Sequence, residues 1–381
     1  MYIVNVDWFF LSHRLPIAQA AYKNGYQIHV ATSVTEHYNQ MKAEGFIVHP
    51  LNLKRGKSGF FSTLKDFFNI LSIIQRVQPD IVHLVTIKPV LFGGIAARLA
   101  RIKGVVAGIS GLGYVFTATG LVASIRRFFI ASLYKFALRH DNIKVIFQNY
   151  DDKNILSSIV DFKSNNMTLI NGSGVDLEKF NVRLNKENKL NVVLPARMLK
   201  DKGVVEFVNA AHILSKSGVK EKTNACFVLV GDLDLDNPAS VSIDEIQNWV
   251  KAGYVEYWGF HKNMANVYAR SALIVLPSYR EGFPKVLIEA AASGKPIVTT
   301  DVPGCRDAIL IDKTGLLVPA KNSNELAKAI EKLLISKKKR DNMGKQARRF
   351  AELSLDVKFV IEKHMKVYCE LMEDNNKTNR P

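Results

Sequence analysis

Short apolar runs and amphipathic stretches alternate along the whole chain. Runs at 2–6, 27–31, 46–49, 81–85, 105–109, 145–148 and 168–170 have the apolar, strand-like character of a sheet interior. Helical patterning fills the gaps, for instance at 15–24 and 91–101. The alternation resumes at 190–195, 226–230, 255–258, 273–277, 297–300 and 316–318, and helices at about 325–335, 341–353 and 356–373 close the chain. Strand–helix alternation of this kind predicts α/β units, each a parallel sheet with helices on both faces. The turn cluster Asn171-Gly-Ser-Gly-Val-Asp176 and the polar, charged residues 183–189 mark a junction near 172–188. The expected organisation is a first domain at 1–175, a second at 176–355 and a terminal helix at 356–381.

Ligands of open parallel sheets bind beyond the carboxyl ends of the strands. In the first half the loops 7–14, 83–89 and 110–114 are expected to leave such ends and to share one crevice. They carry His13, His83 and Lys88. An imidazole there can position or deprotonate an acceptor hydroxyl, and an ammonium can pair with a phosphate. Each can equally be an ordinary hydrogen-bonding loop residue.

The second half is organised around Ser278-Tyr-Arg-Glu-Gly-Phe-Pro-Lys-Val-Leu-Ile-Glu289, which follows an apolar run and is stopped by Gly294 and Pro296. Pro284 suits the first turn of a helix, where its missing N–H costs nothing. Glu281 then lies in the loop before the helix and Glu289 on the helix itself. A helix N-terminus attracts phosphate through its free N–H groups and positive dipole end. A diphosphate held there would leave one substituent near each glutamate; the plain alternative is a capped helix with a glutamate on a solvated face. Arg197-Met-Leu-Lys-Asp-Lys202-Gly203 places cations and a glycine just past another strand, which suits a phosphate loop or a solvated turn. Gly231-Asp232-Leu-Asp234-Leu-Asp236 raises a metal reading, but a calcium loop would need glycine and glutamate where Asn237 and Ile243 stand. Gly111-Leu-Gly113 lacks the remainder of a dinucleotide fingerprint.

Composition narrows the field. The chain has 381 residues, 48% of them hydrophobic, but no uncharged apolar run of the roughly 18 residues a membrane span needs. The opening residues read as a strand followed by charge rather than a signal peptide. Three scattered cysteines, Cys226, Cys305 and Cys369, suit a reducing cytoplasm and form no zinc cluster. The net charge is +17, and residues 1–140 hold 16 Lys/Arg against 5 Asp/Glu. Such a basic half implies an anionic partner: nucleic acid, a membrane surface or a phosphorylated substrate. Nucleic acid is disfavoured, because the aromatics near the basic residues form a helical stripe rather than separated stacking platforms. That stripe, Phe60 to Leu71 behind Lys54, Arg55 and Lys57, favours contact with anionic lipid. A second helix at 124–140 carries Ile125, Phe129, Leu133 and Phe136 on one face, with Arg127, Lys135 and Arg139 opposite, and reads as a core stripe with a solvated face.

Taken together, Ala196-Arg197…Lys202-Gly203, Leu229-Val-Gly231-Asp232, Tyr257-Trp-Gly259-Phe260 and the Glu281-Gly-Phe-Pro…Glu289 pattern resemble the family-4 retaining glycosyltransferases. Asp7-Trp-Phe-Phe-Leu-Ser-His13-Arg14 and Ile109-Ser-Gly-Leu-Gly-Tyr114 are similar to the bacterial branch that extends lipid-linked sugars, notably transferases of N-acetylhexosamines onto undecaprenyl-diphosphate sugars. The resemblance implies the GT-B architecture: two Rossmann-like domains, an interdomain cleft, and a terminal helix crossing back onto the first domain. It implies that Arg197 and Lys202 bind the donor diphosphate, Glu289 the ribose and Glu281 the transferred sugar. Gly282, Phe283, Pro284, Lys285 and Gly231 would line the donor site, with the nucleobase near Gly259 and Phe260. On the acceptor side the family's first loop is often glycine-rich, and some members have a histidine where Ser110 stands. Those departures leave His13, His83, Lys88 and Ser110 as alternative acceptor-side residues. Implied too are a nucleotide-sugar donor, by likeness a UDP-sugar, a polyprenyl-diphosphate-linked acceptor, no metal cofactor, and a peripheral seat on the cytoplasmic face of the membrane. An epimerase of nucleotide sugars on the same architecture is the alternative.

Overall fold

The computed structural model describes residues 1–53, 60–116, 120–181, 189–235 and 237–378, and each of the apolar runs is a strand, with ends shifted by two residues at most. β1 (Tyr2–Val6), β2 (His29–Ser33), β3 (Ile47–Leu51), β4 (Ile81–Val85), β5 (Gly104–Ile109), β6 (Ile143–Phe147) and β7 (Met167–Leu169) form one sheet in the order β3-β2-β1-β4-β5-β6-β7. β8 (Leu190–Pro195), β9 (Ala225–Val230), β10 (Glu256–Gly259), β11 (Leu273–Leu276), β12 (Ile297–Thr300) and β13 (Gly315–Val318) form the other, in the order β10-β9-β8-β11-β12-β13. The strand pairs are parallel throughout. β5 and β9 are buried along their whole length, which is why they read as unbroken apolar runs instead of alternating ones. An apolar cluster fills each face of each sheet.

Both sheets reverse their strand order once, between β1 and β4 and between β8 and β11. Crossovers leave to opposite sides at such a point and open a crevice at the carboxyl ends. The chain divides into two units, Met1–Ser173 with Lys358–Pro381, and Gly174–Val357. The C-terminal helix (Val357–Thr378) thus returns to the first sheet. Its Tyr368 hydroxyl meets the Tyr2 hydroxyl at 2.9 Å and His83 Nδ1 at 2.6 Å, and its Glu370 takes a 2.7 Å hydrogen bond from the buried Lys144.

Several local expectations need correction. Residues 7–14 are mostly not a loop but a helix, Asp7–His13. Its buried Asp7 carboxylate accepts from Thr35 N (2.7 Å), Thr35 Oγ1 (2.8 Å) and His37 N (3.2 Å), while Phe10 packs edge-on against Tyr2 and Phe46. Without glycine or proline, an aromatic stretch that can bury Phe10 has every reason to coil. Pro284 is the residue before the helix, at ψ 120°, and the helix proper is Lys285–Ala292. The helix expected over 91–101 begins as a π turn, Pro89–Gly93, and continues as Gly94–Leu99.

Of the two amphipathic helices, the second departs from expectation. Phe60–Val77 turns Ile70, Ile73 and Ile74 into the core and leaves Leu64 and Phe68 exposed; Lys54, Arg55 and Lys57 lie outside the described residues. Leu121–Ala137 buries Tyr134 and Ala137 instead, so Ile125, Phe128, Phe129, Leu133 and Phe136 face outward, Phe128 at 70% exposure. The stripe read as core is therefore the surface. No helix among the described residues is long and apolar enough to cross a membrane.

Candidate active site

In the second unit, Arg197 leaves the end of β8 and Glu281 follows β11, so the two flank the point where that sheet reverses. Close backbone contacts lock their loops together. Gly203 caps the one-turn helix Lys200–Lys202 in the left-handed region, φ 74°, and a Cβ there would stand 2.2 Å from the carbonyl oxygen of Pro277. Only glycine satisfies both demands. Tyr279 N donates to Asp201 O at 2.9 Å, and the Tyr279 hydroxyl donates to Glu206 at 2.6 Å. The result brings Lys202 Nζ to 2.5 Å from Glu281 Oε1, which also accepts from the Ser278 hydroxyl at 2.8 Å. On the other side Gly304 presses on the carbonyls of Glu281 and Gly282, leaving no room for a side chain at that position.

Arg197 is partly exposed and donates to the Asp234 carboxylate. Gly231 sits between the loops at φ 140°, where a Cβ would fall 2.0 Å from Ala196 O. Its N–H donates to Gly259 O at 2.9 Å and its carbonyl accepts from the Tyr257 hydroxyl at 2.9 Å, tying the end of β10 to the same place. Gly259, φ 68°, has open space where a Cβ would be, and Phe260 beside it is 67% exposed.

Beyond Glu281, Phe283 is buried, Pro284 precedes the helix, and Lys285 Nζ lies 3.7 Å from Glu289 Oε1 one turn on. Burial raises the Glu289 carboxyl above the usual range, opposed by Lys285 and by the Tyr268 hydroxyl, which donates to Oε2 at 3.0 Å. Both carboxyls thus have positioned partners. Arg197, Lys202 and Glu281 belong to loops that hydrogen bonds hold together, and Gly231, Gly259, Gly282, Phe283, Lys285 and Glu289 lie on the same segments or the next in line.

The first-unit candidates fare differently. His13 ends the Asp7–His13 helix, its ring stacked on Phe9 at 4.1 Å and its Nδ1 2.5 Å from Ser12 Oγ. Lys88 immediately precedes the π turn after β4, and Ser110 follows β5; β1, β4 and β5 are neighbours, so all three residues follow adjacent strands. His83 does not. It lies inside β4, fully buried between the Tyr2, His364 and Tyr368 rings, and burial holds its pKa well below the ordinary imidazole value. Counting it as a residue that follows the strand misplaced it by three positions. No group of three or more His, Cys, Asp and Glu among the described residues is placed to hold a metal ion.

Family models match both halves of the chain, Glycosyl transferase 4-like over residues 1–149 and Glycosyl transferases group 1 over residues 176–350. The chain is 31% identical over 386 aligned residues to the N,N'-diacetylbacillosaminyl-diphospho-undecaprenol alpha-1,3-N-acetylgalactosaminyltransferase of Campylobacter jejuni, with 96% of this chain and 99% of that protein covered. The chain is a group 1, family-4-like glycosyltransferase. A UDP-Gal:alpha-D-GlcNAc-diphosphoundecaprenol alpha-1,3-galactosyltransferase of Escherichia coli is 24% identical over 70% of this glycosyltransferase and 69% of its own length. Among solved structures, Anabaena HepE in complex with UDP and glucose superposes with a TM-score of 0.76 at 17% identity, covering 97% of this chain and 98% of that one. A sucrose-phosphate synthase of Thermosynechococcus elongatus gives 0.77 at 18% identity, covering 98% and 100%. These two likenesses establish the GT-B fold.

The sequence did not assign three partner residues of this glycosyltransferase to the site. Ser278 holds Glu281, Tyr268 holds Glu289, and Asp234 engages Arg197. Ser278, three residues before Glu281, carried a local signal. Tyr268 is 21 positions from its partner and Asp234 is 37 from Arg197, and such distances are bridged only by the folded sheet.

Proposed function

We propose that the protein transfers a hexose or N-acetylhexosamine from a UDP-sugar to a sugar carried on a polyprenyl diphosphate, with retention of configuration and without a metal ion. The observation that carries this reading is the near full-length likeness to the Campylobacter jejuni transferase, whose name specifies an undecaprenyl-diphosphate acceptor. The loops that bring Arg197 and Lys202 to the carboxyl edge of the second sheet, beside the start of Lys285–Ala292, support the donor half of it. In the reaction the sugar C1–O bond to the diphosphate breaks and a C1–O bond to the acceptor hydroxyl forms on the same face. The hydroxyl proton passes to the departing phosphate oxygen, so no strong side-chain base is required. The negative charge that develops on the leaving diphosphate is met by Arg197, Lys202 and the helix N-terminus. Glu281 would accept from hydroxyls of the transferred sugar and Glu289 from the ribose, with His13, Lys88 and Ser110 the acceptor-side candidates.

The reading also seats the protein peripherally on an anionic membrane, on its cytoplasmic face, where polyprenyl-linked substrates can be reached. The outward apolar side of Leu121–Ala137, with Arg126, Lys135 and Arg139 exposed beside it, supports that seat.

The test is a donor screen with UDP-GalNAc, UDP-GlcNAc, UDP-Gal and UDP-Glc against a synthetic polyprenyl-diphosphate monosaccharide, with and without a chelator. The expected result is acceptor-dependent UDP release, undiminished by chelation, and a product whose new linkage keeps the donor's anomeric configuration. A new nucleotide sugar formed without acceptor would instead establish the epimerase reading, and an obligate need for manganese would overturn the metal-free mechanism.

A further inference from the structure

The loop that carries Asp234 is stitched to the loop that carries Arg197 along most of its length. Ala196 N donates to Val230 O at 2.9 Å, Met198 N to Asp232 O at 2.9 Å, Lys200 N to Ala239 O at 2.8 Å, and Val241 N to Met198 O at 2.8 Å. Without a side chain at Gly231 the two backbones pack directly against each other, since a Cβ there would meet Ala196 O. The Arg197–Asp234 ion pair is therefore a consequence of the backbone, not a chance meeting of two flexible side chains, and the Asp234 side chain is only 20% exposed. Lys202 is matched in the same way by Glu281. Both cations assigned to the donor diphosphate already have a carboxylate, and the four charges sum to zero.

We propose that Asp234 is an affinity- and release-determining residue that occupies Arg197 in place of the donor's diphosphate and exchanges with it on binding. The proposal rests on the reading of Arg197 as a diphosphate ligand. An incoming diphosphate must break the ion pair, and it then faces a carboxylate that the backbone keeps nearby. Coulomb repulsion at that range lowers affinity for any nucleoside diphosphate, substrate or product. The advantage falls at product release: UDP leaves a site that restores its own neutrality, whereas two unpaired cations would retain it. Asp234 is a different device from a metal ligand, since it acts by opposing the phosphates rather than by bridging to them.

The experiment is calorimetric titration of the full chain with UDP at low and moderate salt, in wild type, Asp234→Asn, Arg197→Ala and the double variant, with UDP dissociation followed by stopped flow. Asp234→Ala, checked for an unchanged thermal midpoint, guards against an effect peculiar to the amide. The expected result is UDP binding about fivefold tighter in Asp234→Asn, the scale of one partly exposed ion pair, with slower dissociation and a steeper salt dependence. The gain should shrink when Arg197 is already alanine, because only the direct repulsion between carboxylate and diphosphate is then left to remove. If Arg197→Ala weakens binding while both Asp234 variants bind UDP like wild type or worse, the proposal fails and the diphosphate reading stands. If Arg197→Ala binds UDP like wild type, the diphosphate reading itself fails and takes the proposal with it. Tight UDP binding that requires manganese and is lost in Asp234→Asn would make Asp234 a metal ligand and overturn the proposal.

Discussion

At the scale of single residues, the site depends on where charge can be placed without freedom to move. Lys202 and Glu281 are both largely buried, and their loops are pinned by the Tyr279–Asp201 bond and by glycines at 203 and 304. A cation fixed in this way stabilises developing negative charge without having to reorganise, which is where most of its catalytic worth lies. Replacing Arg197 or Lys202 with alanine is expected to lower turnover by roughly a hundredfold or more, the loss that follows removal of one charge-stabilising donor. Steady-state rates with saturating donor check it; near wild-type turnover in both variants would remove the mechanism. The residues that carry opposite charge to these cations were only partly legible in the sequence. Glu281 and Glu289 announce themselves by their spacing around Pro284. Asp234 read as one member of an aspartate-rich loop, because nothing local says that β8 and β9 will lie side by side and bring its loop to Arg197.

At the scale of elements, buried parallel strands were legible because their apolar runs have no alternation to confuse and are bounded by turn residues. Strand ends moved by a residue or two, and Asp7–His13 was missed because its stabilisation is tertiary: Asp7 is satisfied by Thr35 and His37, and Phe10 by Tyr2 and Phe46. The facing of an amphipathic helix was the least legible feature. Leu121–Ala137 has apolar residues on both sides, and periodicity cannot tell which side a sheet will cover. Tyr134 and Ala137 are covered; Phe128 and Phe129 are not. Single exposed apolar residues mean little, but five on one helix beside exposed arginine and lysine are the pattern of an interfacial helix. Replacing Phe128 and Phe129 with serine is expected to weaken flotation with liposomes containing anionic lipid by several-fold, with little effect on the thermal midpoint, since both rings are already in water. Unchanged flotation would remove the membrane role of this face.

At the scale of the whole molecule, the C-terminal helix is joined to the first sheet by groups that must stay neutral. His83 is enclosed by Tyr2, Tyr368 and His364, with the buried Arg14 guanidinium nearby, and burial depresses both imidazoles, His364 to about 3. In the unfolded chain each takes up a proton below its ordinary pKa near 6.5; in the folded protein His364 does not until about pH 3. Their contribution is therefore intact above pH 6.5 and declines as the pH falls from there, by about 1.4 kcal/mol per pH unit for each histidine. Denaturant titrations between pH 7 and pH 5 should show this acid lability, and His364→Gln should flatten the slope by about one histidine's worth. An identical slope in the variant would mean that His364 is not held neutral. Under the proposed reading the donor-binding groups lie in Gly174–Val357, while the exposed apolar face of Leu121–Ala137 belongs to the first unit. The central claim is that the second unit holds the diphosphate of the donor. A crystal structure with UDP tests it most directly: the diphosphate should lie against Arg197, Lys202 and the start of Lys285–Ala292, with the ribose on Glu289, and UDP bound away from both cations and both glutamates would contradict it.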